Sequence, residues 1–143
     1  MLKIRDVMTK DIAYVSVADT VERAAQLMSQ YDIGSVPVCD GGKVVGIVTD
    51  RDITLRSVAK GTEYKNQSVR DIMSSNPVFC SPEQDAQDAV RIMSERQIRR
   101  LPIVENGNLV GMVALGDVAV EPILSDNAEA ALKDISEPAS PRI

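Results

Sequence analysis

Thr49 and Asp52 stand three residues apart behind the apolar run Gly46-Ile47-Val48, and by type and spacing they suit a small polar ligand. The stretch Gly46 to Asp52 reads as a β-strand opening into a helix. Backbone N–H groups at a helix start lack intrahelical partners, and the positive end of the helix dipole lies there, which together favour a phosphate. Thr49 adds a hydroxyl donor, and Asp52 is an acceptor able to take the two hydroxyls of a ribose. The same residues equally suit a plain helix start, with Thr49 or Asp50 as cap and Asp52 in a first turn that favours acids. The second group with chemistry is Arg99-Arg100, directly before the apolar Leu101-Pro102-Ile103-Val104. Arg99 or Arg100 could face a phosphate anchored at Thr49, since guanidinium suits bidentate phosphate contacts; the alternative is a solvated pair on a sheet edge.

Much other chemistry is excluded by composition. The 143 residues contain no histidine, which removes His-based triads, His metal ligands and a His general base. Cys39 and Cys80 cannot complete a structural zinc site by themselves and read as two buried free thiols rather than a disulfide. No catalytic residue and no metal site is expected. A net charge of −5 argues against general nucleic-acid binding, which needs cationic surface to displace counterions. The start Met1-Leu2-Lys3-Ile4-Arg5-Asp6 has no apolar signal region and no run is long enough to span a membrane, so the expected location is the cytoplasm. A hydrophobic fraction of 44% with 3% aromatics implies a folded chain with an aliphatic core.

The elements that must position these residues occur twice. Residues 4–54 align with 69–119 without a gap. Arg5-Asp6-Val7-Met8 faces Arg70-Asp71-Ile72-Met73, Met28-Ser29 faces Met93-Ser94, and Pro37 faces Pro102. Val45-Gly46 faces Val110-Gly111, and Asp52 faces Asp117. Two copies suggest a closed pair in which each buries a face the other exposes. Each copy begins with a short β-favouring run, Ala13-Tyr14-Val15 or Val78-Phe79-Cys80. An amphipathic helix follows, capped by Asp19 or Thr20 in copy one and by Asp85 in copy two. A hairpin turns at Asp40-Gly41-Gly42 or at Glu105-Asn106-Gly107-Asn108. A last helix is expected from about Asp50 to Ala59, and from about Gly116 to Leu124. The expected division is a first domain over 1–60, a polar linker over 61–68 and a second domain over 69–124. Residues 125–143 would form a short helix, with Ser125-Asp126-Asn127 as cap and its end at Leu132, and then a flexible tail.

The span from about Ile4 to Leu124 resembles a tandem pair of CBS domains, also called a Bateman module. The motifs are Arg5-Asp6-Val7-Met8-Thr9, Gly34-Ser35-Val36-Pro37-Val38 and Gly46-Ile47-Val48-Thr49-Asp50-Arg51-Asp52, each with its counterpart in copy two. The resemblance implies an α/β (α+β) fold of pseudo-twofold βαββα repeats, with two small sheets packed together and helices outside. It implies a homodimer, and clefts that bind AMP, ADP, ATP or S-adenosylmethionine. Gly46, Ile47, Val48, Thr49 and Asp52 match the family's Gly-x-x-Ser/Thr-x-x-Asp signature, with Thr49 holding phosphate and Asp52 ribose. The adenine would lie against Pro77, Val78 and Phe79, and Arg99 and Arg100, before Pro102, would reach the phosphates. The second signature, Gly111-Met112-Val113-Ala114-Leu115-Gly116-Asp117, departs from the pattern because Ala114 replaces the hydroxyl residue. Its partners would be Ile12, Ala13, Gly34 and Ser35, without an arginine, which makes Met112, Val113 and Asp117 part of a weaker site.

The expectation is therefore a regulatory sensor that binds an adenine nucleotide in the cleft between its repeats and modulates an unidentified protein, without a required cofactor. The principal alternative is a ligand-free dimerisation scaffold. A nucleotide hydrolase is disfavoured by the missing P-loop lysine motif, although Asp50 and Asp52 could hold Mg²⁺.

Overall fold

The computed structural model describes residues 1–137, so residues 138–143 of the expected tail lie outside the described residues. In the first repeat the order is α1 (Ile4–Val7), β1 (Val15–Ser16), α2 (Val21–Tyr31), β2 (Ser35–Asp40), β3 (Lys43–Thr49) and α3 (Asp50–Ile53), then a π-helical turn, Thr54–Val58. A 3-10 turn, Val69–Asp71, leads to β4 (Ser74–Ser75), α4 (Ala86–Arg96), β5 (Arg100–Glu105), β6 (Asn108–Ala114), α5 (Leu115–Ala119) and α6 (Ser125–Ser136). The architecture is mixed α/β.

The chain gathers into two compact units that cut across the repeats. The first-repeat unit holds Asp11–Val78 and Asn106–Leu109; the second-repeat unit holds Met1–Lys10, Phe79–Glu105 and the described chain from Val110 to Glu137. The leading segment of each repeat is thus built into the other repeat's unit.

In the first-repeat unit β1 runs parallel to β2, β2 antiparallel to β3, and β4 antiparallel to β3. The β2–β3 loop consists of Gly41 and Gly42 at φ of 59° and 87°, the double positive φ that matches the twist of the flanking strands. Helix α2 starts where Thr20 Oγ1 accepts the Arg23 N–H at 3.1 Å, which selects Thr20 over Asp19 as cap. It buries Val21, Ala24, Leu27 and Met28 on the side facing Val15, Val36, Val38 and Val48. Val69 and Ile72, from the leading segment of the second repeat, complete this core. That segment is fastened by backbone: Val69 N–H donates to Asp19 O (2.9 Å), and Val21 N–H donates to Gln67 O (2.9 Å).

The second-repeat unit repeats this plan. Asp85 caps α4 by accepting the Gln87 N–H at 3.0 Å, and β5 and β6 pair across Asn106 and Gly107 at φ of 54° and 83°. Thr9 and Met112 exchange backbone hydrogen bonds of 2.8 and 2.9 Å, and Ile4 N–H donates to Gln84 O at 2.9 Å. Glu83 gathers two cations of that same leading segment, Lys3 Nζ at 2.8 Å and Arg5 Nε at 2.7 Å. These bonds hold the Glu83 carboxyl below its ordinary value, first through Lys3 and then through Arg5. Both cysteines are free and buried; burial raises both thiols, that of Cys80 to about 11, where nearby Asp88 adds to the effect.

Four expectations change. Strand β1 is Val15–Ser16 rather than 13–15, and only Cys80 of the matching run pairs, in a parallel bridge to Ile103. Tyr14 and Phe79 are 56% and 49% exposed, so neither aromatic ring has a sheet face to bury itself on. The helix expected to Ala59 has one α turn and then widens, with Ala59 N–H donating to Thr54 O (2.9 Å), five residues back. The helix expected over 116–124 stops at Ala119, ahead of Pro122, which has no N–H to continue it. Helix α6 runs to Ser136 rather than Leu132; its cap position is Leu124, and Ser125 Oγ donates to Pro122 O (3.3 Å) instead of capping. Contacts with α4 extend it: Ser94 Oγ lies 2.5 Å from Asp134 Oδ2, and Gln97 Nε2 donates to Asp134 O and Glu137 O.

The packing explains one shared glycine of the two signatures. A Cβ on Gly46 would lie 2.6 Å from Met73 Sδ and 2.9 Å from the Ser74 carbonyl oxygen, whereas one on Gly111 would meet Met8 Sδ at 2.5 Å. The methionine of each leading segment thus lies on the glycine of the strand it joins. Gly46→Ala presses on backbone and is expected to cost about 1–3 kcal/mol in urea melts. Gly111→Ala, which presses on a flexible side chain, is expected to cost less. Because Glu83 is more acidic folded than unfolded, its contribution is complete above the unfolded carboxyl value and lost as pH falls through the folded one. Glu83→Gln should therefore be less stable than the parent at neutral pH, and the gap should close below about pH 4.5.

Candidate functional site

The junction between β3 and α3 is a reciprocal cap. Thr49 Oγ1 accepts the Asp52 N–H at 3.0 Å, and Asp52 Oδ2 accepts the Thr49 N–H at 3.0 Å. This is the arrangement that joins a Ser/Thr cap to an acid three residues on, and it fixes both side chains against the backbone. Thr49, not Asp50, is therefore the cap; Asp50 Oδ1 accepts the Arg51 N–H instead (2.8 Å). Asp52 is only 8% exposed. Its remaining oxygen, Oδ1, lies 3.7 Å from Arg56 Nε, a loose ion pair that leaves lone pairs able to accept a hydroxyl. Thr49 uses its oxygen as acceptor here, so its own O–H is still available to donate. The α-helical segment is a single turn, so the helix dipole contributes little and the side chains carry the chemistry.

The second junction keeps half of the cap. Asp117 Oδ2 accepts the Ala114 N–H at 2.9 Å, but Ala114 has no oxygen to return the bond. The neighbour of each junction is set by a backbone bond: Asp50 N–H donates to Gly34 O (2.9 Å), and Leu115 N–H donates to Arg99 O (2.8 Å). Gly34-Ser35 therefore flanks Thr49–Asp52, and Arg99-Arg100 flanks Ala114–Asp117. Burial lowers the Arg100 guanidinium from its ordinary value, while the Asp117 carboxylate opposes that shift. Sequence reasoning gave Asp117 no arginine; within its own unit it has Arg100.

The other expected site residues divide by unit. Gly46, Ile47, Val48, Thr49, Asp52, Pro77 and Val78, with Ile12, Ala13, Gly34 and Ser35, belong to the first-repeat unit. Phe79, Arg99, Arg100 and Pro102, with Met112, Val113 and Asp117, belong to the second-repeat unit. Gly46, Val48, Pro102, Met112 and Val113 are buried and act through their backbone or as packing. Arg56 was missed by sequence reasoning; its signal was its place four residues after Asp52 on one helical face. A depression of about 340 Å³ lies on the outer side of α3, lined by Asp50, Arg51, Thr54 and Leu55 rather than by Thr49 and Asp52. Among the described residues no group of three or more Cys, Asp or Glu side chains is gathered as for a metal ion, and no helix is long and apolar enough to cross a membrane.

The fold and the two junctions define a tandem βαββα repeat that presents a carboxylate at one strand end per copy, buried at Asp52 and half-buried at Asp117. The chain belongs to the CBS-domain family: the family model for the CBS domain matches residues 4–58 and again 69–122. It is 43% identical over 136 residues to the CBS domain-containing protein YhcV of Bacillus subtilis, covering 95% of this chain and 96% of that one. A crystal structure of Hypoxic Response Protein I with two coordinated zinc ions superposes with a TM-score of 0.77 at 30% identity, covering 83% of this chain and 98% of that one. A crystal structure of CBSX2 in complex with AMP superposes with a TM-score of 0.74 at 26% identity, covering 88% and 99%.

The difference between the caps predicts a difference in stability. Thr49→Ala is expected to lose about 1 kcal/mol, and Ala114→Thr, which supplies the absent acceptor, to gain up to about that much. Thermal melts of the two variants check both signs.

Proposed function

We propose that this chain is a regulatory module that binds an adenine nucleotide and passes its occupancy to a protein partner. The observation that carries the reading is the state of Asp52: almost buried, held by the cap through Oδ2, with Oδ1 left to accept. A carboxylate so fixed suits a ribose diol, and the Thr49 O–H, whose oxygen serves the cap only as acceptor, suits a phosphate oxygen. A related fold solved with AMP supports the same ligand class. Pro77, Val78 and Phe79 are proposed for the adenine, and Arg99 and Arg100, before Pro102, for the phosphates. AMP, ADP and ATP fit this chemistry, and S-adenosylmethionine offers the same ribose and base without the phosphates.

The role is regulatory rather than catalytic, in keeping with a chain that has no histidine and no P-loop lysine motif. Cytoplasmic residence is part of the proposal. So is a homodimer, which is favoured by the exposed apolar side chains Leu55, Val58, Val120 and Ile123 on turns following the two junctions.

Isothermal titration against AMP, ADP, ATP and S-adenosylmethionine tests the reading. One adenine ligand should bind in the micromolar range, the balance of a few charge-assisted hydrogen bonds against lost ligand freedom. Asp52→Asn, which keeps the shape of the cap acceptor, should weaken it about tenfold or more. A protein that binds none of the four and sediments as a ligand-free dimer would be a scaffold, not a sensor.

A further inference from the structure

Arg56 sits at the meeting point of three things that the nucleotide reading leaves separate. Its Nε lies 3.7 Å from Asp52 Oδ1, the oxygen the cap leaves over. Its Nη1 donates to the Ile72 carbonyl oxygen at 3.3 Å, in the segment that the second repeat contributes to this unit. The residue itself lies in the π-helical turn Thr54–Val58, where the chain widens after one α turn. The widened turn also brings the buried Ser57 Oγ to Gln67 Oε1 (2.7 Å), so its geometry is tied at a second point.

The repeat shows that this arginine is particular to one junction. The gapless alignment sets Gly34-Ser35 opposite Arg99-Arg100, and two residues past its end the same offset sets Glu121 opposite Arg56. Each signature carboxylate has a guanidinium in its own unit, but from a different element: Asp52 has Arg56 from the turn after the helix start, Asp117 has Arg100 from the start of β5. The family signature itself ends at Asp52 and includes neither.

We infer that Arg56 is a positioning residue that aims Asp52 Oδ1 at the ribose hydroxyls and couples that carboxylate to the Val69–Met73 segment. This rests on the adenine-nucleotide reading of the same site. At 3.7 Å the guanidinium orients Oδ1 electrostatically without occupying it as a hydrogen-bond donor would. A hydroxyl that binds Oδ1 draws on the same charge that holds Arg56, and Arg56 in turn grips Ile72. Occupancy of the carboxylate thus bears on the segment through one side chain, whose two contacts supply the differential interaction that a ligand-driven shift requires.

The test is titration of the full chain and of its Arg56→Gln and Arg56→Lys variants with AMP, with 2′,3′-dideoxy-AMP and with adenosine. If Arg56 acts through the carboxylate, Arg56→Gln weakens AMP and adenosine alike, each about tenfold. It leaves dideoxy-AMP, which has no diol to receive, unchanged, and Arg56→Lys restores part of the loss. Unaltered dideoxy-AMP binding also shows that the variant is folded. Equal losses for AMP and dideoxy-AMP, with adenosine unaffected, would mean that Arg56 touches phosphate, and would overturn the inference. Equal loss for all three ligands would mean a merely structural role and overturn it too, as would wild-type affinity in the Gln variant. If the parent chain binds neither AMP nor adenosine, the nucleotide reading fails and the inference with it, a result distinct from a parent that binds and a variant that does not differ.

Discussion

Everything proposed for this molecule depends on two hydrogen bonds that Thr49 and Asp52 exchange at the end of β3. A carboxylate on an exposed loop would sample several rotamers and lose that freedom on binding. Here one oxygen is committed to the backbone, so the other is set in place before a ligand arrives. The same bonds start the helix, which makes the structural and the functional account of Asp52 complementary rather than rival. At the second junction the threonine is replaced by Ala114, so the return bond is gone and of the two cap bonds only that from the Ala114 N–H to Asp117 Oδ2 is kept.

The cap in turn depends on how the leading segments are placed. Met73 lies against Gly46 and Met8 against Gly111, and in each case the strand bearing the signature is flanked by the opening segment of the other repeat. Neither repeat can be cut out at its sequence boundary without removing part of its own unit's core, since Val69 and Ile72 lie in one and Ile4 in the other. A glycine in each signature follows from this packing, independently of any ligand.

What was legible in the sequence was local. The hairpin turns, the cap at Asp85, the choice of Asp19 or Thr20 as the other cap and the amphipathic faces of α2 and α4 follow rules that act within a few residues. The gapless repeat then doubled each signal. The Thr49–Asp52 pair was visible both as cap and as candidate site for the same reason. What was not legible depends on tertiary context. Tyr14 and Phe79 have strand propensity but no face to bury, so β1 is shorter than their residue types suggest. The π turn is tied to a contact between Ser57 and Gln67, ten residues apart. Arg100 stands beside Asp117 through the Leu115–Arg99 backbone bond, a pairing that no spacing rule announces.

The central claim is that an adenine nucleotide reaches the capped carboxylate of Asp52. Amide chemical shifts followed through an AMP titration of the ¹⁵N-labelled chain test it most directly, because the Thr49 and Asp52 N–H groups are themselves the donors of the cap. The account predicts that these two amides move together, with saturation at a common ligand concentration and among the largest shifts in the spectrum. An AMP titration in which the protein binds the nucleotide while both amides stay where they were would contradict it.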